Sequence, residues 1–214
     1  MLKYRTIPVT PFAQNCSLVW CSETNKAAVV DPGGDLGKLL KAVEEENITL
    51  EQIWLTHAHI DHAGGTADLA AQFNLPIIGP HVGDQFWIDM LAEQSRMFNF
   101  PPAKAFVPNR WLNDNDTVEI GNCTLSVRHC PGHTPGHVVF HSAQANRAFV
   151  GDVLFAGGIG RSDFPGGDFD TLIDSIRNRL WPMGNQTVFI PGHGPESNFG
   201  EERRRNPYVR DLQF

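Results

Sequence analysis

The sequence feature that most constrains this chain is a run of histidines and one aspartate at the end of a short apolar segment. The run reads Thr56-His57-Ala58-His59-Ile60-Asp61-His62 and directly follows Gln52-Ile53-Trp54-Leu55. The apolar segment is short and β-prone, as is typical of a buried strand. If that strand continues to about Thr56, its side chains alternate between the two faces of the sheet, and His57 and His59 lie on the same side.

The residue types in this run indicate a metal centre, because clustered histidine and aspartate side chains are common metal ligands. Asp61 and His62 are expected in the turn that opens the next helix, which is predicted at about residues 67–73. Ligands from a strand end and a helix start approach from different directions. That geometry suits a two-metal centre, in which the ions are about 3.5–4 Å apart.

The same arrangement recurs at three further places along the chain. An apolar strand is followed by His133, by Asp152 and by His193, each of them close to glycine or proline. Loops at strand ends often carry chemistry on a rigid scaffold. The recurrence therefore predicts that all four strand ends meet at one edge of the molecule.

The remaining pattern predicts strands and helices packed as an α/β protein. Strand, helix and strand follow one another between residues 52 and 78, which implies a crossover within one sheet. The first three strands should form an antiparallel meander, and Gly121-Asn122 should join a hairpin. The predicted strands are 4–9, 15–20, 27–30, 52–56, 75–80, 117–120, 124–129, 138–140, 148–150 and 187–190, and the first predicted helix is 35–46.

Length and composition exclude several classes of protein. The chain has 214 residues, which fits a single domain over residues 1–214. Its net charge of −7, with Arg203-Arg204-Arg205 as its basic cluster, argues against a nucleic-acid partner. No apolar run approaches the roughly 18 residues of a membrane span and no signal peptide is evident, so we expect a cytoplasmic protein without a membrane partner. The four cysteines form no CxxC pair, and we expect them to be reduced, mostly buried thiols. One disulfide between two of them is the alternative.

Three features have more than one interpretation. Asp31 is either a turn residue after the third strand or a partner that orients a metal ligand. The aromatic and methionine residues within 84–112 favour a helix and a small satellite core over a substrate wall or a dimer surface. His137 follows His133 by four residues, and we favour a supporting or local role for it over direct ligation.

The HxHxDH motif at 57–62, together with His133, Asp152 and His193, resembles the metal-binding signature of the metallo-β-lactamase superfamily. The resemblance implies a four-layer αβ/βα sandwich, in which two mixed sheets pack face to face with helices outside. Within the superfamily, the chain is similar to the short bacterial members of the glyoxalase II (hydroxyacylglutathione hydrolase) group. The segments that carry this similarity are Val30-Asp31-Pro32-Gly33-Gly34, the Gly160–Gly167 loop and Pro191-Gly192-His193-Gly194-Pro195.

The resemblance also implies a ligand set and a reaction. One divalent ion would be held by His57, His59 and His133, and a second by Asp61, His62 and His193, with Asp152 bridging the two. Zinc is the first expectation for both ions, and iron or manganese are the alternatives. A metal-bound hydroxide, oriented in part by Asp61, would then cleave a glutathione thioester such as S-D-lactoylglutathione.

The substrate-binding residues are the part of the resemblance with least support from the sequence. Longer glyoxalase II enzymes bind glutathione with basic residues of a helical C-terminal extension, whereas this chain offers Arg203 in a short tail and Arg161 in a glycine-rich loop. The alternatives are a solvated charge run and an Arg161–Asp163 ion pair.

The sequence is also compatible with other functions. A persulfide dioxygenase with a single iron, a lactonase-like or other hydrolase of the same fold, and a binding protein with a vestigial metal site are the competing functions. The expected assembly is a monomer or a weak homo-oligomer.

Overall fold

Two mixed β-sheets form the centre of the structure, a computed structural model that describes residues 1–211. The first sheet has the strand order β1-β2-β3-β4-β5, with β3, β4 and β5 parallel and the others antiparallel. Its strands are Leu2–Val9 (β1), Gln14–Cys21 (β2), Lys26–Val30 (β3), Thr49–Trp54 (β4) and Ile77–Ile78 (β5).

The second sheet is built by the C-terminal half of the chain. The strands there are Thr117–Ile120 (β6), Cys123–His129 (β7), Val138–Ser142 (β8), Arg147–Gly151 (β9), Leu154–Phe155 (β10), Gly158–Ile159 (β11), Val188–Pro191 (β12) and Ser197–Asn198 (β13). Strands β10 and β11 pair with each other, and the other six form a sheet in the order β13-β12-β9-β8-β7-β6. In that sheet β9 and β12 are parallel, whereas the other neighbours are antiparallel.

Helices cover the outer faces of both sheets. They are Leu36–Glu46 (α1), Ile60–Ala63 (α2), Thr66–Phe73 (α3), Gln85–Asp89 (α4), Leu91–Phe98 (α5), Phe169–Ser175 (α6) and Phe199–Arg205 (α7). A π-helical turn over Ile176–Leu180 extends α6. Helix α1 forms because apolar residues recur at helical spacing, so that Leu39 and Ala42 are buried, and it ends at Asn47 in the left-handed conformation.

The strands divide the core into three layers because their side chains alternate. Ala27 and Val29 of β3 pack with the N-terminal helices, whereas Ala28 and Val30 face the other sheet. Trp54 and Phe140 meet between the sheets with ring centroids 5.4 Å apart. On the far side, β8, β9 and β12 pack against α6 and α7. This is the predicted four-layer sandwich of the metallo-β-lactamase type.

The predicted meander and hairpin are confirmed, and two details near the histidine run differ from the prediction. Strand β4 ends at Trp54 and not at Thr56, because the amide of Thr56 donates to a carboxylate oxygen of Asp31 at 2.7 Å. Asp61 and His62 lie inside the short helix α2, and not in a turn before the helix. No helix within residues 1–211 combines the length and apolar character needed to cross a membrane.

Candidate metal centre

Strand ends bring the predicted site residues together at one edge of the sandwich. The parallel pairs β3–β4 and β9–β12 end at this edge, and the loop after β7 also reaches it. His57, His59 and His133 each turn one ring nitrogen to the same point, with these atoms within 4.8 Å of one another. The closest approach is 3.0 Å, between His59 Nδ1 and His133 Nε2.

A second group lies beside the first. Asp61, His62 and His193 also place one ligand atom each within 4.8 Å of the others. Asp61 Oδ2 is 3.0 Å from His193 Nε2 and 3.7 Å from His62 Nε2. These side chains come from helix α2 and from the loop after β12, so they approach the site from opposite sheets.

Asp152 lies between the two groups. Its Oδ1 is 3.3 Å from His62 Nε2, and its Oδ2 is 3.7 Å from both His133 Nε2 and His193 Nε2. One carboxylate thus faces ligand atoms of both groups. Gly192 makes this approach feasible, since a Cβ there would lie 2.0 Å from Asp152 Oδ1.

The donor atoms at the centre fit a metal ion. His57 Nε2, His62 Nε2 and Asp152 Oδ1 are buried and have no hydrogen-bond partner. Buried polar atoms without partners are costly, and ligation by a cation would satisfy these. The set is imidazole and carboxylate without thiolate, a set that suits zinc, iron or manganese.

Protonation at the centre follows from burial and from the two carboxylates. Burial and the neighbouring imidazoles hold the pKa of His57 well below its usual range, which leaves a neutral ring able to bind metal. Burial opposes protonation of His62 as well, yet Asp152 and Asp61 outweigh it and raise the pKa of His62. Protons therefore compete with a cation at this part of the centre.

Asp31 orients one of the proposed ligands. Its backbone is left-handed, with a φ of 53°, as turn aspartates can be. Its Oδ2 lies 2.9 Å from His62 Nδ1 and accepts from the Thr56 hydroxyl at 2.6 Å. A proton on Nδ1 would leave His62 Nε2 free to face the centre, so Asp31 is a turn residue that also holds the ring of a candidate ligand.

Replacing Asp31 by asparagine should weaken metal binding by about 10- to 100-fold, because an amide cannot accept from all three of its donors. The measurement is metal retained by the purified protein across a series of chelator concentrations. Asp35→Asn is the matched control, since Asp35 is exposed and pairs with Lys38. Equal retention by Asp31→Asn and the unmodified protein would remove this role from Asp31.

His137 lies behind the centre. Its Nε2 accepts from the Asp152 amide at 3.1 Å, and its ring stacks on His57 with centroids 4.7 Å apart. Its contacts therefore fix the backbone of Asp152 and the plane of His57.

Two further polar residues hold the site in place and were not identified from the sequence. Asp84 accepts from the Ala58 amide at 3.0 Å, and from Thr134 and Gly136 at 2.9 and 2.6 Å, so it ties the HxHxDH loop to the His133 loop. Burial raises the pKa of Asp84 to about 7, against the effect of these donors. Gln94 accepts from the Ile60 amide at 2.9 Å and donates to Trp87.

A cavity of about 590 Å³ opens onto the centre, and Arg161 but not Arg203 lines it. Arg203 instead bonds Asp211 at 2.8 Å and Asn185 at 3.0 Å, and none of these three residues lines the cavity. Residues of the segment 84–112 divide between the core and the cavity lining. Leu91 belongs to the core, Met90 and Met97 line the cavity, and Trp87 does both. All four cysteines are buried free thiols.

Comparisons with known proteins identify the family of this chain. The chain is 44% identical over 204 residues to hydroxyacylglutathione hydrolase GloC of Haemophilus influenzae, covering 95% of this chain and 96% of that one. The crystal structure of BLEG-1 B3 metallo-beta-lactamase superposes with a TM-score of 0.89 at 34% identity, covering 97% of this chain and 99% of that one. The crystal structure of TTHA1623 in a di-iron-bound form superposes with a TM-score of 0.87 at 34% identity, covering 96% of this chain and 100% of that one. Residues 9–193 match the profile of the family described as Metallo-beta-lactamase superfamily, and this chain belongs to that superfamily.

Proposed function

We propose that this chain is a metal-dependent hydrolase that cleaves glutathione thioesters of the S-D-lactoylglutathione type. The observation that carries the proposal is its 44% identity, over nearly the whole of both chains, to a hydroxyacylglutathione hydrolase. The cavity supports it, because the proposed metal ligands form one wall and leave space for a small-molecule substrate. Hydrolysis adds water across the acyl–sulfur bond, so the C–S bond breaks, a C–O bond forms, and the products are a carboxylate and a thiol.

We assign seven side chains to metal binding. His57, His59 and His133 would hold one divalent ion, Asp61, His62 and His193 a second, and Asp152 would bridge them. Zinc is the first candidate, and iron is supported by the di-iron form of TTHA1623. Ions bound there would polarise the thioester carbonyl, lower the pKa of water and stabilise the leaving thiolate.

The chain's own residues then position the reactants. Asp61 and Asp152 present carboxylate oxygens at the end of the cavity, where they can hold and orient the attacking water. Asp31 and His137 keep His62 and the Asp152 backbone in place. No side-chain nucleophile is required, and none of the four cysteines lines the cavity.

Arg161 is the residue we propose for the glutathione part of the substrate. It lines the cavity and forms a two-pronged ion pair with Asp163, at 2.9 and 2.8 Å. Both side chains are about two-thirds exposed, and such surface pairs contribute little to stability. A substrate carboxylate can therefore replace Asp163.

The single domain over residues 1–214 and the monomer or weak oligomer stay predictions.

The test is turnover of S-D-lactoylglutathione under anaerobic conditions by protein of known metal content. We expect the thioester to be lost at full rate in the absence of oxygen, with close to two metal ions per chain. Hydrolysis should stop when a chelator removes the metal and return when a divalent ion is added.

Two parallel reactions separate the competing functions. Oxygen uptake with glutathione persulfide, without thioester cleavage, would favour the one-iron dioxygenase. Preferential cleavage of a chromogenic cephalosporin would favour a β-lactamase, the activity for which the structurally similar BLEG-1 protein is named.

A further inference from the structure

The cavity beside the metal centre is far more apolar than a lactoyl group requires. Five of its 17 lining residues belong to the proposed ligand set, and ten of the other twelve are apolar. A lactoyl group is small and carries a hydroxyl, so it would leave most of this apolar surface in contact with water. Apolar surface of this extent around a reactive centre indicates an apolar ligand group.

The apolar lining comes close to the ligand set at Phe12. Phe12 packs edge to face on Phe98 with centroids 6.1 Å apart, and its carbonyl lies 3.2 Å from His193 Nδ1. Phe12, Met97 and Phe98 are 45%, 65% and 39% exposed, although they are large apolar side chains. The core does not require them at these positions, which suggests that a ligand covers them.

Another part of the cavity lining is charged, at Arg161. Arg161 is the one cationic side chain among the lining residues that the structure describes, and it lies over the Phe164 ring at 4.3 Å. Phe164 in turn packs against His59 with centroids 5.0 Å apart. The polar, anionic glutathione part of a thioester fits this part of the lining and the adjacent solvent. The acyl group then extends towards Phe12, Met97 and Phe98.

We infer that the preferred substrates are thioesters with a bulky apolar acyl group, aromatic or long-chain, which binds against Phe12, Met97 and Phe98. This inference rests on the proposed thioesterase function and specifies its substrate class. Each methylene group moved from water onto such a wall strengthens binding by about fourfold. A phenyl group in place of the lactoyl methyl should therefore raise kcat/KM by at least about tenfold.

The kinetic test compares S-D-lactoylglutathione with S-mandeloylglutathione, which both carry a 2-hydroxyacyl group and differ in methyl against phenyl. We expect the mandeloyl thioester to be preferred by at least about tenfold. Phe98→Ser should reduce that preference at least about fivefold. Val107→Ser is the matched control, because Val107 is 77% exposed and lies outside the cavity lining. Equal kcat/KM values for the two thioesters, or a preference for lactoyl, would overturn the inference and leave the hydrolase function intact.

A binding measurement separates failure of the inference from failure of the proposed function. Calorimetry on the metal-loaded protein would compare S-octylglutathione with S-methylglutathione, thioethers that cannot be hydrolysed. We expect the octyl compound to bind at least about tenfold more tightly, and Phe98→Ser to reduce the difference. If neither thioester is hydrolysed but this difference is found, the apolar site stands and the hydrolase function fails. Equal binding of the two thioethers would overturn the apolar site itself.

Discussion

Replacing Asp152 by alanine is expected to lower kcat/KM for thioester hydrolysis by on the order of 10³-fold, which corresponds to about 4 kcal/mol of transition-state stabilisation. The reason is its position between the two groups of proposed ligands. Its oxygens lie 3.3 Å from His62 Nε2 and 3.7 Å from His133 Nε2 and His193 Nε2. Burial opposes ionisation of this carboxyl, but the His62 imidazole outweighs burial and holds its pKa well below the usual range.

The same change should reduce the metal content of the protein, which separates loss of the centre from loss of substrate binding. Without the Asp152 carboxylate, the centre loses a negative charge that would balance the positive charge of bound cations. Asp170→Ala is the control, because Asp170 is exposed in the first turn of α6. Circular dichroism should show that both variants fold. Hydrolysis near the unmodified rate by Asp152→Ala, with full metal content, would contradict the bridging assignment.

The sequence was sufficient to predict that the candidate ligands after the strands lie close together. His133, Asp152 and His193 each come shortly after an apolar strand, and parallel pairing of β3 with β4 and of β9 with β12 places their ends at one edge. Local order along the chain is enough for this inference, since side-chain types and strand ends are both visible in the sequence. The four-layer architecture followed from the same motifs through the family resemblance.

The residues that support the site were not predictable, because their partners are remote in the sequence. Asp84 bonds Ala58, Thr134 and Gly136, which are separated from it by 26, 50 and 52 positions. Nothing next to Asp84 in the sequence marks it as buried, and aspartate is usually exposed. The end of β4 at Trp54 has a similar origin, since the Asp31 carboxylate that accepts the Thr56 amide lies 25 positions earlier.

The apolar cavity wall shows why a composition-based interpretation of 84–112 was incomplete. Leu91 and Met97 belong to the same helix, α5, yet Leu91 is buried in the core and Met97 is 65% exposed at the cavity. Helical spacing alone indicates that apolar residues occupy more than one face, but it does not show which face meets a ligand. The structure shows that Met97 lines the cavity together with Phe12, which comes from the loop between β1 and β2.

Gly33→Ala is expected to destabilise the protein by about 3 kcal/mol and to lower its metal content, because the added methyl overlaps the backbone of the histidine run. A Cβ at Gly33 would lie 1.5 Å from the Asp61 carbonyl oxygen and 2.3 Å from its carbon. Both atoms are main chain, so no side-chain rotation relieves the overlap. The turn after β3 or helix α2 must move, and helix α2 carries Asp61 and His62.

Gly37→Ala provides the matched control, since it is the same substitution four positions later. Gly37 lies in helix α1, and a Cβ there would meet nothing within 4 Å. Alanine should stabilise the helix by about 0.5 kcal/mol, through lower entropy of the unfolded chain. Urea unfolding of metal-free protein would measure both changes, and metal analysis after dialysis would follow the centre. The two variants should therefore shift stability in opposite directions, and a Gly33→Ala protein as stable as the unmodified chain would show that the close approach of Gly33 to Asp61 is not required.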